Sequence, residues 1–110
     1  MATRLPLRVE VGRDTPGVVV IGCVGELDLI TCAALETAIG ESFSLDVAVL
    51  CLDLTGITFF DSTSVRCLIE CHRRCISRHV RLEVDTSPVV ERVLALIGFR
   101  SATRVAGSPS

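Results

Sequence analysis

The chain has 110 residues, enough for one hydrophobic core and too few for two. It is 49% hydrophobic and 22% charged with a formal net charge of −2, and its 11 basic residues are all arginine. That composition excludes a disordered chain and argues against nucleic-acid binding, which leaves a clustered basic footprint.

Leu5, Leu7, Val9 and Val11 alternate with Arg4, Arg8 and Glu10, the period-2 pattern of a half-buried strand. The turn formers of 12–17 and the apolar run Val18 to Val24 complete a predicted hairpin. Gly25-Glu26-Leu27-Asp28 ends that strand. A helix is expected from about Thr31 to Phe43, capped by Asp28 or Thr31, with Ala34, Leu35, Ala38, Ile39 and Ser42 at helical spacing. Val47 to Leu54 is almost continuously apolar, which predicts a strand buried on both faces of a sheet. The connection from Asp53 to Ser64 then leads into a second helix, about Thr63 to Arg78. Val80 to Val84 reads as a short strand, and Ser87-Pro88 opens a third helix as cap and first helical residue. Val89, Val90, Val93, Leu94 and Ile97 form its apolar stripe and Gly98 its left-handed end. Arg100 to Val105 suggests an edge strand, and 106–110 a loose tail. Strands alternating with helices imply an α/β domain with a mixed sheet and parallel crossovers.

No apolar run approaches the roughly 20 residues that span a bilayer, and the N-terminus lacks a secretory pattern. The expected location is cytoplasmic. Cys23, Cys32, Cys51, Cys67, Cys71 and Cys75 then read as reduced thiols. Arg73, Arg74, Arg78 and Arg81 read as a solvated helix face.

An enzyme is disfavoured by the motifs. There is no Gly-rich phosphate loop and no paired metal-ligand motif, so no cofactor is expected. His72 falls at the spacing of Val65, Leu68, Ile69 and Ile76, as a residue at the edge of the core, and a triad built on Ser62 lacks an evident base. Cys67, Cys71, Cys75 and His79 make a helical row. At 1.5 Å rise per residue, however, Cys67 and Cys75 lie roughly 12 Å apart, too far for one ion bound at about 2.3 Å. On a helical wheel Cys75 lies with Leu68 and Ile76, while Cys67 and Cys71 drift toward the polar flank. All three are read as small hydrophobes.

The stretch Asp61-Ser62-Thr63-Ser64, between an apolar strand and an amphipathic helix, is the sharpest functional clue. Hydroxyls there serve as caps. A phosphoserine of charge about −1.5 to −2 is also tolerated at a helix start, where the dipole is positive and backbone N–H groups are open. Its effect would fall on a partner docking over the turn.

Gly25-Glu26-Leu27-Asp28 before a helix, followed by Leu52-Asp53-Leu54-Thr55-Gly56-Ile57-Thr58-Phe59-Phe60-Asp61-Ser62-Thr63, resembles the STAS domain, and more narrowly the bacterial anti-sigma factor antagonists. The likeness covers about residues 5–105 of a single domain with a mixed four- to five-stranded sheet and helices packed on it. It implies a partner switch. Such a domain binds an anti-sigma factor with a serine-kinase fold and frees a sigma factor for transcription. The kinase phosphorylates the first Ser after the Asp, which maps onto Ser62 ahead of Thr63 or Ser64, and a metal-dependent serine phosphatase reverses it. The resemblance places Gly25, Glu26, Leu27, Asp28, Asp61, Ser62, Thr63 and Ser64 on the docking face. The family commonly has Gly where this chain has Ser64, a side chain expected to alter partner choice or phosphorylation. Many relatives also carry a final helix with no clear counterpart pattern here. Two alternatives remain within the family: a constitutive or thiol-linked antagonist with Ser62 only a cap, and a small-ligand-binding module.

Overall fold

A computed structural model describes residues 7–13, 15–44 and 46–98, and the backbone of 102–105. The element order is β1 (Arg8–Gly12), β2 (Val18–Leu27), α1 (Cys32–Phe43), β3 (Val49–Phe60), α2 (Ser62–Ser77), β4 (Arg81–Thr86), α3 (Pro88–Ile97) and β5 (Ala102–Val105). The strands form one five-stranded sheet in the order β1-β2-β3-β4-β5. β1 pairs with β2 antiparallel, and the other pairs are parallel. The expected α/β architecture with a mixed sheet is therefore observed. The expected strand positions 4–6 and the tail 106–110 lie outside the described residues.

The strand order explains where the core sits. From β2 to β5 every crossover steps to the adjacent strand in the same direction. Right-handed connections then place all the intervening helices on one face. Val19, Ile21 and Cys23 on β2, Leu50, Leu52 and Leu54 on β3, and Leu82 and Val84 on β4 all turn toward that face. There they join Leu35 and Ile39 of α1, Leu68 of α2, and Val90 and Leu94 of α3 in one cluster. The opposite face carries Val20, Gly22 and Val24, then Cys51 and Asp53, then Glu83 and Asp85, all half-buried or exposed. The expectation that β3 is buried on both faces is thus corrected. Its apolar run includes Val49 and Cys51, which point to the face opposite the described helices.

β3 also runs six residues past Leu54, through Thr55-Gly56, to Phe60. The strand continues because Gly56 lets β2 approach closely. A Cβ there would lie 2.8 Å from Val24 Cγ2 and 3.2 Å from the Cys23 carbonyl oxygen. The pairing shifts register on both sides of this contact, between Gly22 and Val24 and between Gly25 and Glu26. Gly25 takes φ +122°, a conformation that costs a glycine nothing.

α2 is the helix whose packing departs most from expectation. Its buried residues are Ser64, Cys67, Leu68, Cys71 and Cys75, spaced three and four apart as one stripe. Cys67 and Cys71 lie in the core, not on the polar flank, and Ile76 is exposed. His72 is half-buried, at the edge of the core. The thiols are therefore α2's hydrophobic face. Arg74 and Arg78 stack on the Phe43 ring at 4.9 and 5.0 Å, tying α1 to the end of α2.

Candidate functional site at the ends of β2 and β3

Leu27 is in register with Phe60, so β2 and β3 end side by side and release two connections at the same edge of the sheet. On the β2 side, three successive carbonyls are held by hydroxyls. Gly25 accepts from Thr58 Oγ1 at 3.3 Å, Glu26 accepts from Thr31 Oγ1 at 2.7 Å, and Leu27 accepts from Ser64 Oγ. Asp28 is buried, and its Oδ1 accepts from the N–H groups of Ile30 and Thr31 at 2.9 and 3.0 Å. Of the two residues expected to cap α1, Asp28 is the one whose carboxylate binds the amides. Thr31 occupies the cap position without a side-chain cap bond. This fastened loop turns Leu29 and Ile30 outward, at 74% and 76% exposure.

On the β3 side, Asp61 is the N-cap of α2 in an extended conformation. Its Oδ1 accepts from the Ser64 N–H at 3.0 Å, while Ser64 Oγ accepts from the Asp61 N–H at 3.3 Å, a reciprocal capping box. Ser62, read from the sequence as a cap or a switch, is not the cap. It is the first helical residue and is exposed. Thr63 is half-buried and faces the groove between α1 and α2. Ser64 is fully buried, so its side chain points inward and away from any docking partner.

Of the other residues expected on the docking face, Gly25, Leu27 and Asp28 are buried and shape the edge, while Glu26 and Asp61 are half-buried. Sequence reasoning missed Leu29 and Ile30. The available signal was a pair of large apolar residues inside a short link from strand to helix, where polar turn formers are usual.

The α2 start already holds one anion, the Asp61 carboxylate on the Ser64 N–H, and has further donors beside it. The N–H groups of Ser62 and Thr63, at the first helical positions, take no intrahelical bond, and the first turn contains no acidic residue. The neighbouring groove, about 340 Å³, is lined by Glu36, Arg66, Glu70 and Arg74 over Cys67 and Cys71. Burial, then the adjacent Cys32, pushes the Cys67 thiol up to about 12. Cys71 is raised by its hydrogen bond with Cys75 and by burial. Such thiols stay protonated at neutral pH and are weak nucleophiles.

With this geometry in hand, the comparisons with known proteins are direct. The family model for the STAS domain matches residues 12–107. The chain is 34% identical over 93 residues, 84% of its length and 75% of the relative's, to the anti-sigma-F factor antagonist RsfB of Mycobacterium tuberculosis. Its structure matches an anti-sigma factor antagonist from Mycobacterium paratuberculosis with a TM-score of 0.79 at 25% identity, over 93% of this chain and 86% of that one. The unphosphorylated form of the anti-sigma factor antagonist SpoIIAA has the same fold, with a TM-score of 0.77 at 21% identity over 92% of this chain and 90% of that one. Strand order, the bulged β2 end, the Asp-Ser turn and these likenesses agree, and the chain belongs to the STAS domain family.

Proposed function

We propose that this chain is an anti-sigma factor antagonist, a cytoplasmic regulator and not an enzyme, switched by phosphorylation at Ser62. The observation that carries the reading is the pairing at one sheet edge. An exposed serine at the first position of α2, just past the end of β3, lies beside the end of β2, from which a fastened loop presents Leu29 and Ile30 to solvent. Exposed apolar side chains beside a polar turn are what a partner surface buries at its centre. The 34% identical relative bears the name anti-sigma-F factor antagonist, which supports the same partner class.

The partner is an anti-sigma factor with a serine-kinase fold, which docks on the Leu29–Ile30 loop and the α2 start. It transfers phosphate to Ser62, and a serine phosphatase removes it. The dianion is accommodated by the positive end of α2 within this chain. Its cost falls on the complex, where charge enters a surface that the partner covers closely. The burial of all three α2 thiols, with Cys67 and Cys71 raised and only Cys75 lowered by its hydrogen bond with Cys71, weighs against a thiol-linked switch.

The experiment is incubation with kinase-type anti-sigma factors and ATP, phosphosite mapping by mass spectrometry, and titration of Ser62→Asp against the same partner. Phosphate on Ser62 is expected, with binding by Ser62→Asp weakened about 10- to 100-fold, or about 1.4–2.7 kcal/mol, at unchanged thermal stability. Phosphate on another residue, or wild-type affinity of Ser62→Asp, refutes the switch.

A further inference from the structure

We propose that Ser64 is a positioning residue that locks the Ser62 turn to the Leu29–Ile30 loop, so that phosphoacceptor and docking loop are presented as one surface. This rests on the reading of Ser62 as phosphoacceptor and assigns a mechanical part to the residue two places beyond it.

The observations lie in one small network. Ser64 is fully buried at the third position of α2. Its hydroxyl accepts from the Asp61 N–H at 3.3 Å and donates to the Leu27 carbonyl, while also standing 2.9 Å from Asp61 Oδ1. Its own N–H donates to Asp61 Oδ1 at 3.0 Å. One side chain therefore joins both ends of the Asp61–Ser64 turn to the last carbonyl of β2. Leu27 immediately precedes Asp28, whose carboxylate fastens the amides of Ile30 and Thr31. The linkage runs from Ser62's turn, through Ser64 and Leu27, into the loop that displays Leu29 and Ile30.

A glycine at position 64 has no hydroxyl to give Leu27 and no side chain for the capping box. The Leu27 carbonyl would lose that donor, and the α2 start would keep only half of its reciprocal cap. Such a substitution leaves the fold intact while uncoupling the two segments. Phosphoryl transfer depends on holding the acceptor oxygen in line with the donor, so a loosened acceptor turn costs turnover more than association.

Two variants of the full chain test this: Ser64→Gly, which removes the side chain, and Ser64→Ala, which removes the hydroxyl without adding backbone freedom. NMR-detected amide exchange is expected to speed up about 2- to 10-fold at Ile30 and Thr31 in both, while amides of α3 keep their wild-type rates. Acceleration confined to the first turn of α2 would mean Ser64 is only a local cap, and would overturn the proposal. In phosphorylation by the kinase-type anti-sigma factor, kcat for Ser64→Ala is expected to fall about tenfold, with a smaller change in KM. Unchanged kcat would also overturn it. A Ser62→Ala control separates the two readings. If phosphate persists in that control, the assignment of Ser62 fails, while the exchange data still decide whether Ser64 couples the loop to the turn.

Discussion

Helices α2 and α3 each leave the end of a parallel strand through an extended cap residue, Asp61 for α2 and Ser87 for α3. In each, a buried serine hydroxyl reaches back to a neighbouring segment. Ser64 donates to Leu27, and Ser87 donates to the Ile57 carbonyl at 2.7 Å. The first helical residue separates them. α3 begins with Pro88, which has no N–H to offer, whereas α2 begins with exposed Ser62, which keeps both an N–H and a hydroxyl at the positive end of the helix. The same capping chemistry therefore seals one helix start and leaves the other open to a ligand. Capping itself does not distinguish the two starts; the exposure and chemistry of the residue after the cap do.

The packing stripes differ as well, and this difference carries the largest measurable effect. α3 packs through Val90 and Leu94, α2 through Leu68 and the thiols of Cys67, Cys71 and Cys75. Burial and Cys32 move Cys67 from 9.0 to about 12, and burial and Asp53 do the same for Cys23 on β2. Above pH 9 the unfolded chain releases these protons while the folded one keeps them, so stability falls as pH rises toward 12 and is fully present below 9. Each thiol removes about 1.4 kcal/mol per pH unit in that window. Together they remove about 5 kcal/mol by pH 11, comparable to the whole stability of a small domain. Denaturant titrations at pH 8, 10 and 11 should show this decline, and Cys67→Ala should reduce its slope. A flat profile would mean the thiols are not buried as the α2 stripe requires.

A smaller effect isolates the sealed start. Ser87→Ala loses both the bond from the Val90 N–H and the one to Ile57. The expected loss is about 2 kcal/mol of unfolding free energy, with Ser62 phosphorylation at its wild-type rate. Altered phosphorylation in this variant would mean that the two helix starts are coupled and the contrast between them is false.

Much of this arrangement is legible in the sequence because it is local. The Ser87-Pro88 start, the Gly98 end in its left-handed conformation and the Asp-Ser turn are all written within a few residues. What is not legible depends on partners far along the chain. That β3 runs on past Leu54 depends on Gly56, which admits Val24 of β2. Asp61, not Ser62, caps α2 through a local bond from the Ser64 N–H, but the inward turn of the Ser64 hydroxyl depends on Leu27, 37 residues earlier. The apolar run of β3 cannot reveal that the described helices all pack on one face of the sheet, since that follows from strand order. For the same reason Cys67 and Cys71 look peripheral on an isolated wheel. The direction of α2's buried stripe is set by α1 and the sheet, which the helix's own sequence does not contain.

The finest test converts one helix start into the other. Ser62→Pro gives α2 the first residue that α3 already has. The position tolerates it: the Ser62 N–H takes no intrahelical bond, and Asp61, at φ −110° and ψ −172°, already has the extended backbone that precedes proline. Restricting the unfolded chain should then leave stability unchanged or raise it by about 0.5 kcal/mol, a rise in Tm of about 2–4 °C. The acceptor hydroxyl disappears, so phosphorylation should be lost with the domain fully folded. A destabilisation beyond about 1 kcal/mol would show that the Ser62 side chain or N–H supports the fold. Phosphate persisting in the variant would move the acceptor to Thr63. If α2 with proline is as stable as wild type and no longer phosphorylated, Ser62 is free of any structural duty, and its place at the open end of α2 is explained by the partner alone.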